Sequence, residues 1–230
     1  SLQISFLGFG IVPILGFAGS FGAVWIVYGL SRYRGRTNIS GLILAGFAIG
    51  SVAGAINALL ILVSDQLQIR AVQTFAWLLG GVSVNGWSQV LMITPATLAT
   101  VAVAFLLTGN LNAMAIGEGG AARIGINVER TKLMVLAVGS LLTALAVSIS
   151  GLVAFVGLII PHAIRLLIGP NNRLLLPAAA IGGAAYLILM DVLARTLLAP
   201  VELPVGIFTA IVGSPFFILL LRRARGSYDF

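Results

Sequence analysis

The sequence has no cysteine, one lysine, one histidine and six carboxylates, and only 8 % of its 230 residues carry charge. Each scarcity excludes a class of chemistry. Without cysteine there is no disulfide framework, no thiolate nucleophile and no thiolate metal ligand. The one lysine, Lys132, follows Thr131 and lies in no G-x-x-x-x-G-K-[ST] loop, so the chain does not cradle ATP by that route. Its single histidine, with one aspartate inside the apolar runs, supplies neither the paired aspartates nor the H-E-x-x-H spacing of an intramembrane protease, and no serine–histidine pair stands out. Soluble domains carry roughly 25 % charged residues, so this chain has too little polar surface to clothe itself in water.

What is abundant is apolar: hydrophobic residues make up 60 % of the chain, and mean hydropathy is +1.13. A helix crosses roughly 30 Å of hydrocarbon with about 20 apolar residues. Seven runs of about that length, charge-free except near their ends, predict seven spans: Gly8 to Leu30, Gly41 to Val63, Trp87 to Leu107, Leu133 to Gly151, Leu152 to Ile168, Leu174 to Leu197 and Pro204 to Leu221. The runs hold no ionisable residue except near their ends, which argues against coupling to a proton gradient. The 28 glycines, many set among Ala and Ser within the runs, permit close helix approach where no hydrophobic force draws helices together.

The net charge of +7 comes from short basic clusters between the runs, not from a basic stretch interleaved with aromatics, so it marks topology and not nucleic acid. Arg32, Arg34 and Arg36; Arg123, Arg130 and Lys132; Arg165 and Arg173; and Arg222, Arg223 and Arg225 occupy alternate loops, which places those loops and the C-terminus in the cytoplasm. The opposite side keeps Arg70 and Arg195 beside Asp65, Asp191 and Glu202. Seven spans then put Ser1 outside, and with no signal sequence ahead of it the expectation is that earlier spans are missing.

Two segments fall outside this pattern. Residues 71–86 (AVQTFAWLLGGVSVNG) are apolar but too short to cross, and predict a re-entrant or interfacial helix ended by Gly80 and Gly81. Asn110 to Lys132 (NLNAMAIGEGGAARIGINVERTK) is too polar for lipid and predicts two short surface helices broken at Gly125, or else an ordinary solvated loop.

Three stretches carry a resemblance: GEGGAARIGI from Gly117, SGLVAFVGLIIPHAIRLLIGPNNRLLLPAAAIGG from Ser150, and DVLARTLLAPVELPVGIFTAIVGSPFFILLLRR from Asp191, with GLILAGFAIG from Gly41 upstream. They resemble the FecCD-type permease subunits of type II ABC importers for iron-siderophore, haem and cobalamin. The resemblance implies an all-α polytopic helical bundle of ten spans, of which this chain looks like the last seven, a single transmembrane permease domain over residues 1–230 lacking its first three spans.

Several roles follow from the resemblance. The cytoplasmic loop 110–132 becomes a coupling-helix element that inserts into an ATPase subunit, with polar contacts from Glu118 and Arg123, close backbone approach at Gly117, Ala121 and Ala122, and a break at Gly125. Arg195 becomes a docking residue for an extracytoplasmic substrate-binding protein, although a local pair with Asp191 four residues earlier also suits it. Thr37, Asn38 and Ser40 fall where the family places its cytoplasmic gate; by chemistry alone they form a polar turn with an N-cap candidate in Asn38 or Ser40. Pro161 and His162 read as a structural helix break, with a haem or metal ligand as the lesser reading of His162.

The expected protein is a multi-pass transport subunit of the cytoplasmic (inner) membrane, not an enzyme, with no cofactor and no metal site. Its partners would be a second copy of itself, two ABC ATPase subunits, a binding protein and the bilayer. The cargo expectation is an iron chelate, siderophore or haem, with cobalamin second; a gradient-driven carrier and an intramembrane enzyme are the alternatives from other classes.

Overall fold

The computed structural model describes residues 11–33, 36–37, 39–64, 75, 77–81, 86–199, 201 and 203–225. Among them eight α-helices account for the apolar runs: α1 (Ile11–Ser31), α2 (Ile39–Val63), α3 (Trp87–Met114), α4 (Glu118–Arg123), α5 (Val128–Ser150), α6 (Val156–Ile168), α7 (Asn172–Thr196) and α8 (Val205–Arg225). The protein is all-helical apart from a two-stranded antiparallel ribbon between α1 and α2, β1 (Arg32–Tyr33) and β2 (Arg36–Thr37), in which Arg32 pairs with Thr37 and Tyr33 with Arg36. Four helices, α2, α3, α5 and α7, are long and apolar enough to cross a membrane.

Several threonine hydroxyls inside these helices are satisfied by the carbonyls of their own helix. Thr94 donates to Val90, Thr100 to Ala96, Thr143 to Gly139 and Thr196 to Val192, all at 2.7 to 2.9 Å. This is how a polar side chain enters a segment where no water is available to pair it.

The chain divides into two compact units. The first holds residues 1–74 and 84–149. Within it α2 packs on α1, with Gly46 facing the Val27 side chain, and α4 packs on α3. Helix α3 has 28 residues and spans about 42 Å at 1.5 Å per residue. It therefore runs past the expected end at Leu107 and carries Asn110 to Met114 on its last turn. The expected pair of short helices between Asn110 and Lys132 is corrected: α4 is the one short helix, and the residues after Gly125 are the first turn of α5.

The second unit holds residues 75–83 and 150–230. Here α6 packs on α7, and α8 on both. Met190, Ala194 and Val205 form its buried core, covered by Tyr186, Leu187, Leu193 and Phe208. The segment expected to be the fifth span, Leu152 to Ile168, is helical only from Val156, and the 13 residues of α6 reach about 20 Å. The helix starts late because Gly151 (φ 63°) and Phe155 (φ 67°) both take left-handed backbone conformations. Pro161 and His162, read as a helix break, are corrected by the same helix: α6 passes through both. Proline so close to a helix start removes a single intrahelical hydrogen bond, and the break lies upstream.

The turn before α6 is packed backbone to backbone. The Gly81 amide donates to the Ser150 carbonyl at 2.8 Å. A Cβ on Gly151 would collide with the carbonyl of Trp77, and one on Gly206 with the carbonyl of Leu79.

Candidate functional site

The polar residues expected to act cluster at the α3–α4–α5 turn of the first unit. A six-residue helix does not persist alone, because nucleation outweighs the few bonds it forms, so α4 depends on its ends and neighbours. At its start Gly117 caps with φ 104°, a conformation that side chains rarely adopt, and Glu118 lies in the first turn, where a negative charge meets the positive end of the helix dipole. At its end the Gly125 amide donates to the Ala122 carbonyl at 3.1 Å and the Ile126 amide to the Ala121 carbonyl at 3.1 Å, with Gly125 at φ 87°. That paired pattern is the Schellman stop. Ala121 is fully buried, so its methyl is the contact that seats α4.

Side chains tie this turn to its neighbours. The Lys132 ammonium lies 2.8 Å from Glu118 Oε1 and 3.4 Å from Glu129 Oε1. The Lys132 side chain is 14 % exposed and Glu118 56 %. One residue earlier, Thr131 is buried and its hydroxyl accepts from Asn110 Nδ2 at 3.3 Å, joining α5 to α3. Asn127 starts α5 by accepting the Arg130 amide at 3.0 Å. On the outer side stand Arg123, which makes no ion pair among the described residues, and two exposed isoleucines, Ile116 at 77 % and Ile124 at 65 %. Exposed apolar side chains beside a cation suit a contact with another protein more than a solvated loop.

Sequence reasoning passed over Ile116, Ile124 and Lys132 as site residues. The signal for the isoleucines is present, since both sit in an otherwise polar, glycine-rich stretch. For Lys132 no sequence signal exists, because its role depends on a neighbour across the turn. Lys132 and Glu118 also line an open pocket of about 590 Å³ together with Val24, Leu42, Leu111 and Leu136.

The remaining expected site residues are dispersed. In the second unit Arg195 Nε lies 2.8 Å from Asp191 Oδ2 one turn earlier on α7, with the arginine side chain 49 % exposed. The local pair therefore forms and leaves the arginine side chain about half exposed. His162 Nδ1 lies 2.8 Å from the Leu158 carbonyl. A carbonyl only accepts, so Nδ1 carries a proton and ties one edge of the ring to its own helix. No group of three or more His, Cys, Asp or Glu converges among the described residues. Thr37 belongs to the ribbon and Ser40 to the first turn of α2, while Asn38 lies outside the described residues.

Comparison with known proteins adds to this geometry. The sequence profile of the FecCD transport family matches residues 2–223. The chain is similar to the hemin transport system permease protein of Yersinia pestis, at 40 % identity over 91 % of the chain and 62 % of the relative. It is similar to the cobalamin import system permease protein of Halobacterium salinarum, at 40 % identity over 90 % of the chain and 54 % of the relative. A third relative, the Fe(3+)-citrate import system permease protein of Bacillus subtilis, is 31 % identical over 92 % of the chain and 62 % of its own length. The chain thus spans about three fifths of the length of the curated relatives it matches. Among solved structures, an inward-facing conformation of a metal-chelate type ABC transporter superposes with a TM-score of 0.74 at 26 % identity, covering 92 % of this chain and 75 % of that one.

Proposed function

The chain belongs to the FecCD transport family, and from that membership we propose that it forms the permease of an ATP-driven importer, carrying an iron chelate, siderophore or haem, across the cytoplasmic membrane. The observation that carries this reading is the α4 turn: a short helix stopped by glycines at both ends, seated by buried Ala121, presenting Arg123 between exposed Ile116 and Ile124. Such an element suits insertion into a cleft on a separate ATPase subunit. Glu118 and Arg123 make its polar contacts, and Gly117, Ala121, Ala122 and Gly125 allow backbones to approach.

The working unit is two copies of the permease above two ATPases, with a binding protein outside, Arg195 at the docking surface and the C-terminus in the cytoplasm. Residues Thr37 and Asn38, ahead of α2, and Ser40, in its first turn, act as the cytoplasmic gate. ATP binding closes the ATPase pair, α4 transmits the movement, and the pathway alternates in access. A largely apolar path makes few directed contacts with a bulky chelate, so selectivity rests with the binding protein. Cobalamin is the second reading, favoured by the similarity to the archaeal cobalamin import permease.

Uptake by proteoliposomes containing the full-length permease with its ATPase and binding protein tests this. Labelled haemin, a ferric hydroxamate and cyanocobalamin are offered in parallel. Uptake of an iron compound that needs ATP inside and survives a protonophore is the expected result. Cyanocobalamin uptake alone selects the second reading, and uptake abolished by the protonophore but not by loss of ATP rejects the importer.

A further inference from the structure

We infer that Lys132 is a positioning residue for energy coupling: its ion pair with Glu118 makes α4 move as one body with α5, so that displacement of α4 reaches a membrane-spanning helix. The inference rests on the coupling reading of α4 given above. Three observations carry it. The Lys132–Glu118 pair joins α4 directly to α5 across the turn. The Lys132 side chain packs largely out of solvent and its ammonium stands between two carboxylates, Glu129 from its own helix holding it at 3.4 Å while Glu118 from α4 takes it at 2.8 Å. One residue away, the Asn110–Thr131 bond fastens the same turn of α5 to α3. The pair is therefore anchored on a turn that is itself held, unlike a surface pair between two mobile side chains, which contributes little. The pair gives these six helical residues, seated by one methyl, a direct side-chain route for passing a sideways load to α5.

Within these 230 residues no native cysteine competes for a label, and any cysteine elsewhere in the assembly is first replaced by serine. In the full-length transporter assembled with its ATPase, Gly119→Cys on α4, where a Cβ meets open space, and Thr143→Cys on α5 carry spin labels. The distance distribution between them is expected to be narrow, to widen at least about two-fold in Lys132→Met, and to stay narrow in Lys132→Arg. Cargo moved per ATP hydrolysed, read on whichever compound the wild type takes up, is expected to fall about ten-fold in Lys132→Met and to stay within about two-fold in Lys132→Arg, the range over which single substitutions change coupling. A residue needed only for folding would lower assembly with the ATPase and leave that ratio alone. Cross-linking from Gly119→Cys to the ATPase separates the two readings. No cross-link in the otherwise wild-type protein overturns the coupling assignment and this inference with it. A cross-link together with an unchanged distribution in Lys132→Met overturns the inference alone.

Discussion

The turn before α6 and the turn around α4 solve the same problem, reversing an apolar chain, by opposite means. Around Gly151 the contacts are main chain on main chain: the Gly81 amide meets the Ser150 carbonyl, and Gly151 and Gly206 admit carbonyls that any side chain would exclude. Around α4 the contacts are polar side chains, Glu118 on Lys132 and Asn110 on Thr131, with much of the surface exposed. Apolar surroundings offer backbone groups no substitute partners, so packing there has to be tight and has little tolerance. At a water-facing turn each contact is worth little on its own, and the surface is available for another protein. The first region leaves little room for a side chain, and the second leaves side chains such as Ile116 and Ile124 exposed.

That contrast breaks most visibly at Gly151. Gly151→Ala places a methyl against the Trp77 carbonyl and imposes a side chain on a left-handed backbone, with an expected loss of about 2–5 kcal/mol. Thermal unfolding of the detergent-solubilised protein measures it. Gly157→Ala is the control: this helical glycine has nothing within 4 Å of its missing Cβ, so the change is expected to be neutral or to raise stability by up to about 1 kcal/mol. Equal losses at both positions would show that close approach is not what matters there. At the α4 turn the expectation reverses. Glu118→Ala with Arg123→Ala should lower stability by less than about 1 kcal/mol, while ATP hydrolysis continues without uptake. Normal uptake with normal assembly would remove α4 from the coupling path.

The same contrast explains what the sequence reveals. A charge-free run of about 20 residues has one outcome in a membrane, so the helices are legible from composition. Their ends are less so. Asn110 and Asn112 read as loop, yet they lie on the last turn of α3 because that helix outruns the hydrocarbon and Asn110 finds Thr131 21 residues later. Pro161 advertises a break that does not occur, whereas Phe155, at φ 67°, gives no sign in its residue type. The α4 residues are legible because Gly117, Glu118, Arg123 and Gly125 mark the start and stop of a short helix in one local string. The Lys132–Glu118 pair is not, since it depends on how two helices meet.

The smallest stability effect is expected at Arg195, which tests whether the contrast extends to the second unit. Its pair with Asp191 is a one-turn contact on α7 with the arginine side chain about half exposed, and such a pair contributes about 0.2–0.5 kcal/mol. Arg195→Glu loses that and adds a repulsion of similar size, leaving unfolding almost unchanged. If Arg195 meets an acidic residue on a binding protein, the same substitution sets like charges against each other across an interface. Affinity for that protein should then fall about ten-fold near 0.01 M salt, with the deficit shrinking towards 0.15 M as the Debye length shortens from about 30 to 8 Å. Asp191→Asn removes the competing carboxylate and should leave affinity equal or higher. Unaltered affinity in Arg195→Glu at both salt concentrations would reduce Arg195 to a helix-stabilising residue, and docking would have to rest on other parts of the outer surface.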